Sequence, residues 1–247
     1  MQMIPFPTPR LYVERTLAAG TLLDLPESAA HHAARVLRLT EGDACVLFDG
    51  SGGEYAARIA SVARGGVRAQ VLEFSPVERE SPLQVTLLQG LSSRERMDLT
   101  VQKSAELGIA AIQPVACEKS VAKLKAERSA SRVDHWRRIA IAACEQCGRN
   151  RIPLLHPPLR LLDYAVPAEP LKLLLAPGAR LRLRDTGIET GRPILLAIGP
   201  EAGFSAAEDA ELLRSGFVPV RFGPRLLRTE TAGPAAMAVL NAIAGEV

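Results

Sequence analysis

Aromatic side chains are scarce in this chain, at 4% of 247 residues. Few platforms for stacking bases or rings can therefore exist. No apolar run reaches membrane-spanning length, and the opening MQMIPFPTPR has no apolar core of the kind a secretory leader needs. A bilayer span is excluded on that pattern, and a reducing cytoplasm is the expected compartment. Cysteine is limited to Cys45, Cys117, Cys144 and Cys147. Cys144 and Cys147 form a CxxC with no second pair, and His135 and His156 are the nearest other ligand types. Buried small apolar thiols are expected there rather than a metal site. Neither GxGxxG nor GxxxxGK[ST] occurs, which removes the nicotinamide fingerprint and the P-loop.

What is present is ordinary globular material, with 47% hydrophobic and 23% charged residues. The length suits one large domain or two smaller ones. Charge is uneven: residues 1–75 hold 7 basic and 8 acidic side chains, whereas residues 92–151 hold 12 and 7. Such a local surplus fits either a surface for a polyanion or a solvated helical face. The first 75 residues read as short strands around one helix, PESAAHHAARVLRL, with Gly-rich turns between them, a pattern that suits a small β-barrel. SPVERESP, closing at Pro82, reads as a linker over residues 76–82. From residue 83 apolar strands (LQVTLLQGL, IAAIQPV, LKLLLAP, PILLAIGP, FVPVRFG) alternate with helices, which implies an α/β domain with a largely parallel sheet.

Ligands in such sheets sit beyond the carboxyl ends of strands. Three Gly/Pro loops qualify: LLLAPGAR, AIGPEAGFS and FGPRLLRTETA. In the second, Ser205 and Glu208 have capping-box spacing. Its plain reading is a tight strand-to-helix turn, and its functional reading is a ligand cradle in which Glu201 disfavours phosphate. In the third, Arg225 and Arg228 flank Leu226 and Leu227. The two arginines can pair with surface acids such as Glu230, or the leucines can face a ring while Arg228 reaches a substrate. Thr229 or Thr231 is expected to cap the following helix.

At these residues IGPEAGFSAAE followed by RFGPRLLRTETA resembles the paired C-terminal motifs of the RsmE family of ribosomal RNA uridine methyltransferases, members of the SPOUT superfamily. MDLTVQKSAELGIAAIQPV, RRIAIAACEQCGRNRIP and HHAARVLRLTEGD resemble its other signatures, with Lys103, Glu106, Gln146 and Arg149 on matching positions. Ala202 stands where the family usually has Gly, and Pro224 where a bulkier residue is common. The resemblance implies a PUA-like RNA-binding barrel over 1–75 and a knotted SPOUT domain over 83–247. It implies S-adenosylmethionine as donor and methylation of N3 of one uridine in small-subunit (16S) ribosomal RNA, free or within the assembled subunit. Cofactor contacts are expected from Leu175, Ala176, Gly178, Ile198, Gly199, Glu201, Gly203, Leu226, Leu227, Thr231 and Ala232. Substrate contacts are expected from Arg10, Arg38, Lys103, Arg149 and Arg228.

The chemistry needs no metal. It needs the imino proton of uracil removed and the resulting negative charge stabilised. Arg228 is the expected stabiliser, and Glu230 or Glu201 the expected proton acceptor, directly with a raised pKa or through water. Lys103 and Glu106 are spaced i, i+3, so a structural ion pair competes with a substrate role. Alternatives are a SPOUT enzyme acting on another base or a ribose 2′-hydroxyl, and an RNA-binding relative without catalysis. The last helix is apolar almost all round, from Ala235 to Ala244, and is expected to be buried against a second copy in a homodimer.

Overall fold

The computed structural model describes residues 8–121 and 129–246. Lys123, Lys125 and Arg128 of the basic stretch lie outside the described residues, as does Val247. The chain divides into two compact units, 1–80 with 144–152, and 81–143 with 153–247. The return of the chain to the first unit at 144–152 has no signal in the sequence.

The first unit is built on a five-stranded sheet ordered β1-β3-β4-β5-β2, with β1 Arg10–Tyr12, β2 Leu22–Asp24, β3 Ala44–Phe48, β4 Glu54–Ala63 and β5 Gly66–Ser75. Only the β1–β3 pairing is parallel. Helix α1, Glu27–His31, runs on as a π-helical turn over His32–Val36. Its Ala29 and Ala33 are buried with Leu11, Leu47, Ile59, Val67 and Val71 in one apolar cluster. That burial is the dominant favourable contribution to the unit's stability.

Beside this core lies a buried charge network. Arg10 and Arg149 are 6% and 4% exposed, and Glu54 is 2% exposed. Arg10 pairs with Glu54 and donates to Asn150 Oδ1 at 2.6 Å and Arg149 O at 3.1 Å. Arg79 donates to Glu54 at 2.9 Å, and Arg149 donates to Glu80 through Nε at 2.9 Å and Nη2 at 2.6 Å. Burial pushes the Glu54 carboxyl up, but hydrogen bonds and charge from Arg79 and Arg10 outweigh it and hold the group below the usual carboxylate range. Arg10 and Arg149 were expected to contact substrate; the structure buries both and uses them to hold this unit together.

The second unit carries β6 Val85–Gly90, α2 Arg94–Glu106, β7 Ala111–Ala116, β8 Leu154–Leu155, β9 Leu159–Arg160, β10 Leu171–Leu175, β11 Leu181–Arg182, β12 Ile194–Ile198, α4 Ala206–Arg214, β13 Val218–Arg221 and α5 Thr229–Ile243. Helix α3, Ser129–Cys147, begins in it and ends in residues of the first unit. The sheet order is β11-β13-β10-β12-β6-β7-β8, and its pairings are parallel. β12 is buried along its whole length, as a central parallel strand with both faces covered must be. It lies between β10 and β6, so Ile194 pairs with Leu171 on one side and Val85 on the other.

Helix α5 packs against α2 and β12. Ala232, Ala236, Met237 and Leu240 are buried on that side. The opposite side is open: Thr231, Ala238 and Ala242 are exposed, and Ile243 is 38% exposed.

Candidate active site

β13, β10 and β12 are neighbours in the sheet and end at the same edge, so the three Gly/Pro loops that follow them converge. A cavity of about 550 Å³ opens between these loops. Leu175, Ala176, Ile198, Gly199, Glu201, Gly203, Leu226, Leu227 and Ala232 line it, as do Arg225, Arg228 and Glu230. Gly178 and Thr231, expected here too, are exposed and are not on its wall.

Local chemistry sets the loop shapes. After β12 the Pro200–Gly203 turn is closed by Gly203 N–H donating to Pro200 O at 2.8 Å. Gly203 has φ +71°, which a side chain would strain. Ala202 is exposed and has no left-handed backbone, so its extra methyl does not crowd the turn. The turn seats closely on the end of β6: a Cβ on Gly90 would lie 2.4 Å from Pro200 N. Ser205 and Glu208 form the capping box of α4, with Ser205 N–H donating to Glu208 at 2.8 Å.

The third loop differs from expectation. Arg228 is the N-cap of α5, without a side-chain cap, and neither Thr229 nor Thr231 caps it. Thr229 Oγ1 instead donates to Gly199 O at 2.7 Å and accepts from Gln89 Nε2 at 2.9 Å. One hydroxyl thus ties β6, the loop after β12 and the start of α5. Gln89 is fully buried in an apolar strand. A lone amide inside VTLLQG was the signal for it.

The electrostatics turn on a residue that the sequence did not single out, Arg96 on α2. It donates to Glu201 Oε1 at 2.7 Å, and its Nε lies 3.7 Å from Glu230 Oε1. Ser93 N–H also donates to Glu201, at 3.3 Å. Arg225 and Arg228 are exposed and form no ion pair among the described residues. Glu230 is 8% exposed, and its Oε2 has no hydrogen-bond partner there; the same is true of Gln89 Oε1. Glu230 also sits in the first turn of α5, where the helix dipole favours a carboxylate. Burial holds Asp209, on the wall from α4, above the usual aspartate range, with Lys119 opposing and Glu208 adding to the shift.

The other expected substrate residues are not among those that line this wall. Lys103 Nζ donates to both Glu106 oxygens, at 2.8 and 3.0 Å, so its charge is engaged. Arg38 is exposed in the first unit with φ +56°, at the end of the π-helical turn.

The wall suits a ligand that is part apolar ring and part polar. Leu226 and Leu227 offer apolar contact, strand-end backbone offers donors and acceptors, and Glu230 keeps an acceptor atom without a partner among the described residues. The class these features define is an RNA methyltransferase: the RNA methyltransferase domain family matches residues 79–241, and the RNA methyltransferase PUA domain family matches residues 25–72. The chain is 31% identical to the ribosomal RNA small subunit methyltransferase E of Buchnera aphidicola, over 96% of this chain and 94% of that one. Its fold is similar to a Legionella pneumophila methyltransferase solved with S-adenosylmethionine bound, with TM-score 0.89, 40% identity and coverage of 95% and 97%. It is also similar to the S-adenosylmethionine-bound methyltransferase E of Neisseria gonorrhoeae, with TM-score 0.87, 37% identity and the same coverage. The chain belongs to the ribosomal RNA small subunit methyltransferase E family. Its fold class is accordingly a PUA-like domain followed by a knotted SPOUT α/β methyltransferase domain.

Proposed function

We propose that this protein methylates N3 of one uridine in small-subunit ribosomal RNA, with S-adenosylmethionine as donor. One observation carries the reading: a cavity at three strand ends holds Glu230, a buried carboxylate with an oxygen unpartnered among the described residues, and Arg228, which forms no ion pair among them. The cofactor, when bound, supplies an electrophilic methyl group. Leu175, Ala176, Ile198, Gly199, Gly203, Leu226, Leu227 and Ala232 would hold it through apolar contact and backbone groups.

The protein's own part is to prepare the nucleophile. Uracil N3 has a usable lone pair only after its proton leaves. Glu201 is already bound by Arg96 and Ser93 N–H, whereas Glu230 Oε2 is unpartnered; Glu230 is therefore assigned as proton acceptor. Arg228 stabilises the negative charge left on the uracil carbonyl oxygens. Arg96 holds both carboxylates in place. Alignment of the two reactants supplies a further share of the rate enhancement, at best about 7–11 kcal/mol.

The open stripe of α5, through Ala238 and Ala242, supports a symmetric dimer, because small residues permit close approach of two helices. Ultracentrifugation at micromolar concentration tests it. An active 26.5 kDa monomer would remove the dimer from the scheme.

The deciding experiment for the activity is mass spectrometry of nucleosides from small-subunit ribosomal RNA of cells with and without the protein. Loss of 3-methyluridine alone is the expected result. Loss of a ribose-methylated nucleoside or another base, or no change, would refute it. Assay of free RNA against assembled subunits then identifies the substrate form.

A further inference from the structure

A second cavity, of about 420 Å³, lies between the start of α2 and the first turns of α3. We propose that it is an anion subsite that receives a backbone phosphate of the RNA strand flanking the target base. This rests on the RNA methyltransferase reading above.

Four basic side chains line it: Arg94 on α2, and Arg132, His135 and Arg138 on α3. Among the described residues, Asp98 pairs with two of them: its Oδ2 meets His135 Nε2 at 2.9 Å and lies 3.9 Å from Arg94 Nε. That carboxylate orients Arg94 and the His135 imidazole, and the described lining itself holds three arginines and no carboxylate. Arg138 is exposed and makes no ion pair among the described residues.

Ser92 is the second observation. It is 2% exposed, lines the cavity, and its Oγ has no hydrogen-bond partner among the described residues. A buried hydroxyl without a partner is costly unless a ligand supplies one. A hydroxyl and arginine forks around one space are donors matched to phosphate oxygens. Trp136 is 4% exposed, so its ring offers no open face for a base; the cavity is built for charge rather than stacking.

Position selects an RNA phosphate over a free one. Arg94 lines this cavity and Arg96 lines the first. They are two residues apart on one helix, which is about 3 Å of rise and about 200° of rotation. One turn of α2 therefore serves both cavities, and a strand that places a base in the first carries its neighbouring phosphates past the second.

The test uses the full-length protein with Arg94→Gln and Arg138→Gln combined, and Ser92→Ala separately. Affinity for small-subunit ribosomal RNA is measured by filter binding across a salt series. S-adenosylmethionine binding is measured by calorimetry, and kcat and KM for RNA by methyl transfer. The double variant is expected to bind RNA roughly 10-fold more weakly or worse. Its salt slope should flatten by about 0.7 for each phosphate that the protein no longer neutralises. KM should rise with kcat and cofactor affinity nearly unchanged, and Ser92→Ala should show a smaller loss of the same kind. Arg138→Lys, which keeps the charge, should keep the slope. Unchanged RNA affinity and slope in the double variant would overturn the proposal. So would a loss seen only with assembled subunits when the parent and the variant bind the free RNA equally tightly, which would assign the cavity to a ribosomal protein. Inorganic phosphate that stabilises the parent but not the double variant, with equal RNA affinity in both, would make it a free-phosphate site. If the parent binds RNA but transfers no methyl group, the enzymatic reading fails, and the salt slopes still decide the subsite.

Discussion

Both units of this protein bury charge, and they use it in opposite ways. In the first, Glu54 lies between Arg10 and Arg79, and Arg149 is locked onto Glu80. Both carboxylates there are matched by cations inside the protein. In the second, Glu230 keeps an oxygen without a partner among the described residues, and Arg225 and Arg228, just before it, are exposed on the cavity wall and form no ion pair among them. A network whose carboxylates are saturated in this way fixes backbone and resists solvent, even though Arg10 Nε has no hydrogen-bond partner among the described residues. An unsaturated one keeps capacity for a substrate, and the surrounding fold bears the cost. The difference separates an arginine that holds a domain together from an arginine that can act on a ligand.

The largest expected effect breaks the saturated side. Glu54→Ala leaves Arg10 buried without its carboxylate, a change that costs about 3–5 kcal/mol. Urea unfolding followed by far-UV dichroism should show this loss. A cost under about 1 kcal/mol, the value of an exposed pair, would mean that the network is not a structural device.

On the unsaturated side the effect should appear in rate instead. Arg228→Ala should lower kcat by about 10²–10³ with the unfolding midpoint unchanged. Glu230→Gln should lower kcat by at least about 10². Calorimetry should find S-adenosylmethionine affinity nearly intact in both. Equal losses of affinity and rate in Arg228→Ala would move that arginine into the cofactor's contacts. Full activity of Glu230→Gln would return the proton to Glu201.

The contrast was only half legible in the sequence. Element types were clear because PILLAIGP is an unbroken apolar run and LKLLLAP is broken only by Lys172, each ending in proline, a pattern suited to covered parallel strands. Gly108 after α2 and the Ser205–Glu208 box after β12 marked helix ends in local chemistry. Loop convergence followed from strand ends. Which arginines would be buried did not follow, because burial of Arg10 depends on Asn150, 140 positions away. Arg96 was invisible for the same reason: its partners come from elements far along the chain, Glu201 from the loop after β12 and Glu230 from the first turn of α5. The two-residue strands β8, β9 and β11 are too short for any periodicity. A knot leaves no local pattern at all, since the pairing of β12 between β10 and β6 is decided by the whole chain.

Acid sharpens the comparison at lower magnitude. The folded Glu54 carboxyl sits below its ordinary 4.5, so it adds stability at neutral pH, and that stability is lost as pH falls through the folded value, below 4.5. Glu145 in the same unit runs the other way. Burial raises it, against the Tyr12 N–H hydrogen bond and the nearby His32, so its contribution is present below 4.5 and is lost as pH rises through its folded value. Urea midpoints of the parent should therefore drop below pH 4.5, and Glu54→Gln should flatten that drop. A parallel pH profile for parent and variant would place the acid-sensitive group elsewhere.

The smallest expected effect concerns Lys103, the one expected substrate residue whose charge is engaged within a single helix. Its ammonium meets both Glu106 oxygens on an open face of α2, with 44% of its side chain exposed. An i, i+3 pair at such a site contributes about 0.2–0.5 kcal/mol, and salt screens it. If holding the helix is its whole role, Lys103→Gln and Glu106→Gln are equivalent. Each should lower the unfolding midpoint slightly at low salt, less at high salt, and leave KM for RNA unchanged. The double variant should be no worse than either single one. If Lys103 instead reaches an RNA phosphate during binding, the symmetry fails. Lys103→Gln would then raise KM and flatten the salt slope by about 0.7. Glu106→Gln would release the ammonium and lower KM. The geometry gives the symmetric result as the expected one, and KM measured for the two single variants at low salt decides it.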